Sequence, residues 1–341
     1  RNNLFFKKIF EMNNYWKNKN VLITGGSGFV GSNAVNFLLN LGANLTITIS
    51  PQTSKSNLSK KLGNNLKKVK IIKADLLNST QAKRACRDIE IVMNFAAIDG
   101  GFNFKLENPA DIFSKNVNIA LNMLEASAKS NVKTFLLVSS ADIYIQTNSL
   151  LTEKSPLNIN YKQGINCYIF AKLASEILAQ QFSSQYGINI VIIRPTNLYG
   201  PADNFEEINK MRFIPTVIRK AFLGKEPITI WGNGKQLKSF LYIEDFLQIC
   251  CKLIEKNVYG RPINVAGEQT ISLKKLAEKI ISLSGKPAKL IIDSSKSVGF
   301  KNRVFDLSFL KSQIGKVSET PLETGLKNTI CYFKKNLQGF N

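Results

Sequence analysis

A serine, a tyrosine and a lysine have the types and spacing that acid–base chemistry on a hydroxyl group requires. Ser140 follows an apolar run, and Tyr168 and Lys172 come later, four positions apart. A tyrosine and a lysine at that spacing project from one face of a helix. A nearby ammonium stabilises a phenolate, so Tyr168 is expected to act as a general base near neutral pH, with Ser140 holding the reacting hydroxyl in line. The sequence contains no histidine, which removes Ser-His-Asp triads, Cys-His pairs and most zinc sites, and no metal site is expected.

A glycine-rich segment near the start of the chain has the pattern of a phosphate-binding turn. A short apolar run over 21–23 ends in Gly25, Gly28 and Gly31, and a helical pattern follows at once. Strand, glycine-rich turn and helix N-terminus together form a site for a pyrophosphate, because glycines allow a close backbone approach and the first helical N–H groups are free. The sequence therefore predicts a bound dinucleotide at this turn.

Short apolar runs alternate with helical patterns over the first two thirds of the chain. We expect strands over 21–23, 45–49, 69–73, 91–95, 134–139 and 188–193, and helices over 30–41, 78–87, 110–130 and 165–186. This order implies right-handed βαβ crossovers and a parallel sheet whose ligands lie beyond the carboxyl ends of its strands. The predicted fold class is α/β, a Rossmann-type doubly wound parallel sheet with a smaller C-terminal α/β substrate lobe.

The division of the chain follows from the same pattern. After Pro195, glycine and proline become frequent and the predicted helices are shorter, over 214–223, 243–256 and 271–284. We expect a peripheral N-terminal arm over 1–19, a dinucleotide-binding domain over 20–195, and a region over 196–341 that is mostly substrate lobe, with some segments returning to the central sheet.

Composition narrows the classes of partner. The net charge is +22, but only eight of the 46 basic residues are arginine, and no nucleic-acid motif is present, so a small polyanionic ligand is expected rather than DNA or RNA. The five cysteines have no metal-like spacing and indicate reduced thiols in a cytoplasmic protein. No apolar run reaches the ~18–20 residues of a membrane helix, and no signal peptide is predicted.

The motifs, taken in order, resemble those of the extended short-chain dehydrogenase/reductases, the nucleotide-sugar epimerase and dehydratase family. The segment 24–31 is similar to the family's T-G-x-x-G-x-x-G, 94–97 to the end of its fourth strand, and 194–201 to its R-P-x-N-x-Y-G-P. The resemblance implies that Ser140, Tyr168 and Lys172 are catalytic. It implies a cofactor site formed by Gly25, Gly28, Phe29, Val30, Gly31, Asp75, Leu76, Ala96, Ala97, Asn116, Tyr168, Lys172 and Pro195.

Within that family, the chain is most similar to enzymes of GDP-hexoses, GDP-fucose synthase and GDP-mannose 3,5-epimerase. Gly100, Gly101 and Asn197 are among the features that carry this similarity. This chain differs from those enzymes at two positions. Asp142 stands where both enzymes have a cysteine, and Arg212 stands where GDP-fucose synthase has a histidine. A 3,5-epimerase mechanism is therefore not expected. Family dehydratases have a glutamate at the position of Asp142, which makes this residue a candidate acid–base group for 4,6-dehydration.

The cofactor and substrate contacts are less specific in the sequence. The second predicted strand ends in Ser50 without the carboxylate that binds the ribose of NAD, so NAD or NADP is expected, with NADP slightly favoured. The predicted substrate-binding residues are Gly100, Gly101, Ser140, Asn197, Arg212, Lys220, Lys238 and Arg303. The family resemblance also implies a homodimer formed through the helices near 110–130 and 165–186.

The resemblance, together with these residues, implies hydride transfer at C4 of a nucleotide-linked hexose. A C4 epimerase or a C4 ketoreductase needs only Ser140, Tyr168 and Lys172. Two alternatives stay open at this point: a 4,6-dehydratase that uses Asp142, and a dinucleotide-binding protein without catalytic activity.

Overall fold

The central element is a seven-stranded parallel sheet. The computed structural model describes residues 14–145, 147, 149–159, 167–224, 227–295 and 302–336. The sheet is formed by β1 (Asn20–Thr24), β2 (Asn44–Ile49), β3 (Lys70–Lys73), β4 (Ile91–Asn94), β5 (Thr134–Val138), β6 (Asn189–Pro195) and β10 (Pro262–Val265). Across the sheet, the strands lie in the order β10-β6-β5-β4-β1-β2-β3. The chain reverses direction across the sheet between β1 and β4, which is where such folds bind ligands.

Helices cover both faces of the sheet because its strands are apolar on both sides. They are α1 (Phe29–Asn40), α2 (Lys55–Leu62), α3 (Ser79–Ala85), α4 (Phe102–Glu107), α5 (Pro109–Lys129), α6 (Cys167–Tyr186) and α8 (Ile243–Glu255). Val21 and Ile23 pack in one core cluster with α1 and α8, whereas Leu22 packs in the other with α3 and α5. This alternation is typical of a parallel sheet buried between two helical layers.

The remaining strands form two smaller sheets, which four further helices accompany. They are β7 (Asn197–Tyr199), β8 (Ile228–Trp231), β9 (Leu237–Tyr242), β11 (Thr270–Ser272), β12 (Leu290–Asp293), α7 (Phe213–Leu223), α9 (Leu273–Ser284), α10 (Ser308–Ile314) and α11 (Leu322–Lys335). One sheet has the order β11-β9-β7, and the other pairs β12 with β8. β10 pairs with β6 in the central sheet, so the C-terminal half contributes to both parts of the fold.

The predicted α/β fold and parallel sheet are confirmed, and the predicted strands and helices differ from the observed ones mainly at their ends. The part of the predicted arm that the structure describes is not peripheral: Trp16 is fully buried, and its indole Nε1 donates to Glu255 Oε1 at 2.5 Å. Among the described residues, none of the helices combines the length and apolar character that crossing a bilayer demands.

Candidate active site

The glycine-rich turn has the tight geometry that a dinucleotide requires. Gly25 has φ of +65°, and its carbonyl accepts a 2.9 Å hydrogen bond from the N–H of Gly28. A Cβ at Gly31 would lie 2.2 Å from that same carbonyl oxygen, so only glycine allows this contact. α1 has no acidic residue in its first turn and no side-chain cap, which leaves its first N–H groups available to an anion. The turn therefore fits the pyrophosphate of a nicotinamide dinucleotide.

Buried hydrogen bonds hold the neighbouring strand ends in place. Thr24 Oγ1 donates to Asn94 Oδ1 at 2.6 Å and accepts from the Ala96 N–H at 2.9 Å. Asn116 accepts from the Ile98 N–H and donates to the Ile98 carbonyl, both at 2.9 Å. The side chain of Asn116 thus lies at the cleft but bonds to the protein backbone, and it holds the cleft wall rather than presenting a free amide.

A single cleft of about 1320 Å³ brings together most of the predicted cofactor residues. It is lined by Gly25, Gly28, Phe29, Val30, Gly31, Ala96, Ala97, Asn116, Tyr168, Lys172 and Pro195. Three predicted residues do not line it. The side chain of Leu76 is buried in the core, and Asp75 is exposed and accepts from the Leu77 N–H. Ser50 is also exposed, and its hydroxyl donates to the side chain of Gln52.

The three candidate catalytic residues come from two elements at the floor of the cleft. Ser140 follows β5 and begins a short 3-10 turn, where its Oγ accepts from the Asp142 N–H at 3.1 Å. Tyr168 and Lys172 lie in the first turns of α6, with the Lys172 Nζ 5.4 Å from the centroid of the Tyr168 ring. Lys172 Nζ donates to the Val138 carbonyl at 2.8 Å, which fixes the ammonium beside the end of β5.

The charges around these residues give a pKa pattern that differs from the expectation. Burial lowers the pKa of Lys172 to about 8, with Lys105 acting in the same direction. Burial and the carboxylates of Asp99 and Asp142 raise the pKa of Tyr168 well above its usual value. The base near neutral pH that the sequence predicts is not the form of Tyr168 that these charges favour. Tyr168 is instead held in its protonated form.

Asp142, the candidate dehydratase group, is part of an ion pair. Its Oδ1 lies 2.6 Å from Arg303 Nη1, and that guanidinium also donates to the Ala141 carbonyl at 2.7 Å. Arg303 is only 7% exposed. Burial lowers the pKa of Lys238 to about 8, and the nearby Arg303 guanidinium acts in the same direction. The structure thus groups two of the predicted substrate-binding residues, Lys238 and Arg303, around one carboxylate.

The other predicted substrate residues also line the cleft, and the side chains of Arg212, Lys220 and Asn197 each bond within the protein. Arg212 pairs with Asp203 at 2.9 Å and lies over the Phe29 ring. Lys220 donates to the Pro227 carbonyl at 3.3 Å, and Asn197 Nδ2 donates to the Ser239 carbonyl at 3.0 Å. Gly100 and Gly101 lie at the start of the loop that carries α4 across the cleft.

The structure adds cleft residues that the sequence analysis missed. Lys105 Nζ lies 4.0 Å from the centroid of the Tyr168 ring and 2.7 Å from Asp99 Oδ1. Lys61 Nζ donates to the carbonyl of Ser27, within the glycine-rich turn, at 2.9 Å. Lys60 pairs across the cleft mouth with Glu206 at 2.8 Å. These lysines belong to no recognisable motif, and the chain is rich in lysine, so their positions alone give no signal in the sequence.

A family model described as the NAD dependent epimerase/dehydratase family matches residues 21–266. The dTDP-4-dehydro-6-deoxy-D-allose reductase of Streptomyces sp is 31% identical over 324 residues, which cover 94% of this chain and 97% of the relative. A probable GDP-L-fucose synthase 1 of Oryza sativa subsp. japonica is 28% identical over 333 residues, 94% of each chain.

Solved structures share the whole fold. The UDP-N-acetylglucosamine 4-epimerase from Methanobrevibacter ruminantium M1, in complex with UDP-N-acetylmuramic acid, superposes with a TM-score of 0.83 and 25% sequence identity. The match covers 94% of this chain and 99% of that one.

Proposed function

Because the chain belongs to the NAD dependent epimerase/dehydratase family, we propose that it reduces the C4 ketone of a nucleotide-linked hexose. The protein is an enzyme, because its family and its relatives are nucleotide-sugar enzymes, and this excludes the alternative of a non-catalytic dinucleotide-binding protein. The observation that carries the proposal is that both carboxylates beside Tyr168 are paired with cations, Asp99 with Lys105 and Asp142 with Arg303. Ketone reduction needs no carboxylate base, whereas 4,6-dehydration does.

The residues at the cleft floor have the protonation that such a reduction requires. When bound, the reduced nicotinamide supplies a hydride to C4. The Tyr168 hydroxyl donates its proton to the C4 oxygen, and its raised pKa keeps that proton in place until then. Ser140 accepts its hydrogen bond from the Asp142 N–H, so its own O–H is available to donate to the same oxygen. Lys172, fixed by the Val138 carbonyl, would hold the nicotinamide ribose.

Two further features support the substrate class. Lys238 and Arg303 place two largely buried cations in the cleft with one carboxylate between them, a charge balance that favours a diphosphate. The reductase relative acts, by its name, on a dTDP-linked 4-dehydro sugar, and the synthase relative is named for a GDP-linked sugar. We therefore propose a dTDP- or GDP-linked 4-keto-6-deoxyhexose as substrate.

C4 epimerisation is the second candidate function, because a 25%-identical solved structure is a UDP-N-acetylglucosamine 4-epimerase. The same serine, tyrosine and lysine would serve both reactions. Reduction consumes one reduced cofactor for each product, whereas epimerisation consumes none.

The proposal is tested by incubating the purified protein with dTDP- and GDP-linked 4-keto-6-deoxyhexoses and cofactor deuterated at the transferable position. We expect oxidation of the cofactor and a product that carries deuterium at C4, detected by mass spectrometry. Tyr168→Phe should lower kcat by about 10²–10⁴-fold. Loss of water from dTDP-glucose or GDP-mannose would instead establish a 4,6-dehydratase, and sugar interconversion without net cofactor oxidation would establish an epimerase.

For the cofactor, we propose a preference for NADP over NAD. β2 ends at Ile49 and is followed by the hydroxyl of Ser50, without a carboxylate that would repel a 2′-phosphate. Ser54 caps α2 by accepting from the Asn57 N–H, and Lys55 begins that helix at the same edge. Ser50→Asp should raise the KM for NADPH and lower that for NADH. An unchanged ratio between the two KM values would contradict this assignment.

We also propose a homodimer formed through α5 and α6. These helices pack against each other and leave large apolar side chains exposed, among them Phe113 at 41% and Ile177 at 60%. A cytoplasmic location and the absence of nucleic-acid partners stay predictions from composition.

A further inference from the structure

We propose that Lys105 is a second electrostatic partner of Tyr168, which stabilises the phenolate left after proton transfer. This inference rests on the proposed role of Tyr168 as proton donor. The Lys105 ammonium lies 4.0 Å from the centroid of the tyrosine ring, whereas the Lys172 ammonium lies 5.4 Å away. A cation over the face of an aromatic ring is attracted to it, and the attraction strengthens when the ring becomes an anion.

The fold brings Lys105 to this position through a contact between the two parts of the molecule. Lys105 belongs to the short helix α4, which follows Gly101. A Cβ at Gly101 would lie 3.0 Å from the carbonyl oxygens of both Asn209 and Met211, so the chain is packed tightly against that segment. Phe104 adds a contact to the Lys210 ammonium, which lies 5.3 Å from its ring. Residues from the C-terminal half therefore hold α4 in the position where Lys105 lies over the Tyr168 ring.

Asp99 fixes the direction of the lysine side chain. Asp99 Oδ1 lies 2.7 Å from Lys105 Nζ, and the Lys105 side chain is only 23% exposed. Burial opposes the ionisation of Asp99, but Lys105 and Arg212 more than offset that effect and lower its pKa. Asp99 is thus a carboxylate at neutral pH, and its ion pair with Lys105 keeps the ammonium over the ring.

The charges that face Tyr168 come from every element packed around it. They are Asp99 before α4, Lys105 within it, Asp142 in the turn after β5, Lys172 in α6 and Arg212 before α7. The carboxylates and burial disfavour the phenolate. When the hydroxyl proton moves to the C4 oxygen, the negative charge stays on the Tyr168 oxygen until a solvent proton replaces it. A cation close to the ring lowers the energy of that intermediate charge distribution.

The test compares Lys105→Met with Lys105→Arg, which keeps the charge, and with Lys115→Met, which removes a partly exposed lysine of α5 paired with Asp111. We expect Lys105→Met to lower kcat about tenfold while the KM for the nucleotide sugar changes less than about twofold. Lys105→Arg should keep most of kcat, and Lys115→Met all of it. A Lys105→Met enzyme with the kcat of the unmodified protein would overturn the proposal.

A second variant separates the position of α4 from the charge it carries. Gly101→Ala should displace α4 and lower kcat to a similar extent. Combined with Lys105→Met, it should cause little further loss, because both changes remove the same ammonium from the ring. Losses that multiply would show that Lys105 acts independently of its place above Tyr168, which would also contradict the proposal.

A measurement without substrate distinguishes failure of this inference from failure of the proposed function. Replacing Tyr168 with a fluorinated tyrosine, whose phenol is more acidic, brings its titration into a range where fluorine NMR can follow it. Lys105→Met should raise the pKa of this fluorophenol by about one unit, and Lys105→Arg should not. If the unmodified enzyme reduces no nucleotide-linked ketone, the proposed function fails, whereas an unchanged fluorophenol pKa rejects the role of Lys105.

Discussion

Arg303 Nη1 lies 2.6 Å from Asp142 Oδ1, which joins a cation of the C-terminal half to the turn that carries Ser140. The same guanidinium nitrogen donates to the Ala141 carbonyl, and Nη2 donates to the Asp142 carbonyl at 3.4 Å, so three bonds fix the arginine to one short turn. The carboxylate therefore orients a candidate phosphate ligand. With the proposed role of Arg303 in diphosphate binding, this ion pair would couple substrate binding to the position of Ser140.

Asp142→Asn tests whether the carboxylate orients Arg303 or takes part in chemistry. The variant should bind cofactor normally and keep kcat within about threefold, while the KM for the nucleotide sugar rises by about three- to tenfold, because an amide holds the guanidinium less firmly than a carboxylate. Steady-state kinetics check this, with Asp111→Asn of the surface pair with Lys115 as the control. Loss of kcat at unchanged KM, together with loss of a dehydrated product, would establish Asp142 as the acid–base group of a dehydratase.

Gly31→Ala and Gly28→Ala separate two roles of glycine in the phosphate-binding turn. A Cβ at Gly31 would lie 2.2 Å from the Gly25 carbonyl oxygen, a contact that forces α1 away from β1. A Cβ at Gly28 would lie 3.1 Å from the same atom, which small shifts relieve. We expect Gly31→Ala to lower the free energy of unfolding by about 2–4 kcal/mol and to abolish cofactor binding. Gly28→Ala should keep most of the stability.

Denaturant unfolding and cofactor titration measure the two effects. If Gly31→Ala bound cofactor as tightly as the unmodified protein, the dinucleotide would have to lie elsewhere in the cleft.

The parts of the site that could be predicted from the sequence are those set by local spacing. The glycine turn needs only a strand before it and a helix after it, and Tyr168 and Lys172 share a helix face because they are four residues apart. The strands around them are short and apolar, so their order predicted the parallel sheet. Each of these features is decided within about ten residues of chain.

The parts that could not be predicted depend on contacts between distant residues. Asp142 and Arg303 are far apart in sequence, and their pairing needs the C-terminal segment to cross the end of β5. α4 has only six residues, and its apolar residues alternate with polar ones, which is a strand period and not a helical one, so Lys105 could not be assigned to the site. The direction of the Tyr168 pKa shift was missed for the same reason, because the nearby carboxylates come from other elements.

Ile177→Glu tests the proposed homodimer. Ile177 is 60% exposed on α6, and a charge there would be buried without a partner if two copies of the α5–α6 surface pack together. We expect this variant to be monomeric by light scattering. Leu150→Glu, at a position that is 53% exposed outside these helices, should leave the oligomeric state unchanged. A protein that is monomeric without any substitution would contradict the proposal.

Lys238 should make substrate binding depend on pH. Burial and Arg303 lower its pKa to about 8 in the free protein, so the side chain is largely neutral at pH 9. A bound diphosphate favours the ammonium and raises that pKa, and binding then takes up a proton. Affinity should therefore be greatest below pH 8 and should fall by up to about tenfold per pH unit above it.

Calorimetry in buffers of different ionisation enthalpy measures this proton uptake directly. Lys238→Arg should remove the uptake and flatten the affinity between pH 7 and 9, since a guanidinium stays charged throughout. Lys235→Arg, an exposed position three residues earlier, should keep the behaviour of the unmodified protein. A pH-independent affinity in the unmodified protein would show that Lys238 does not bind the diphosphate.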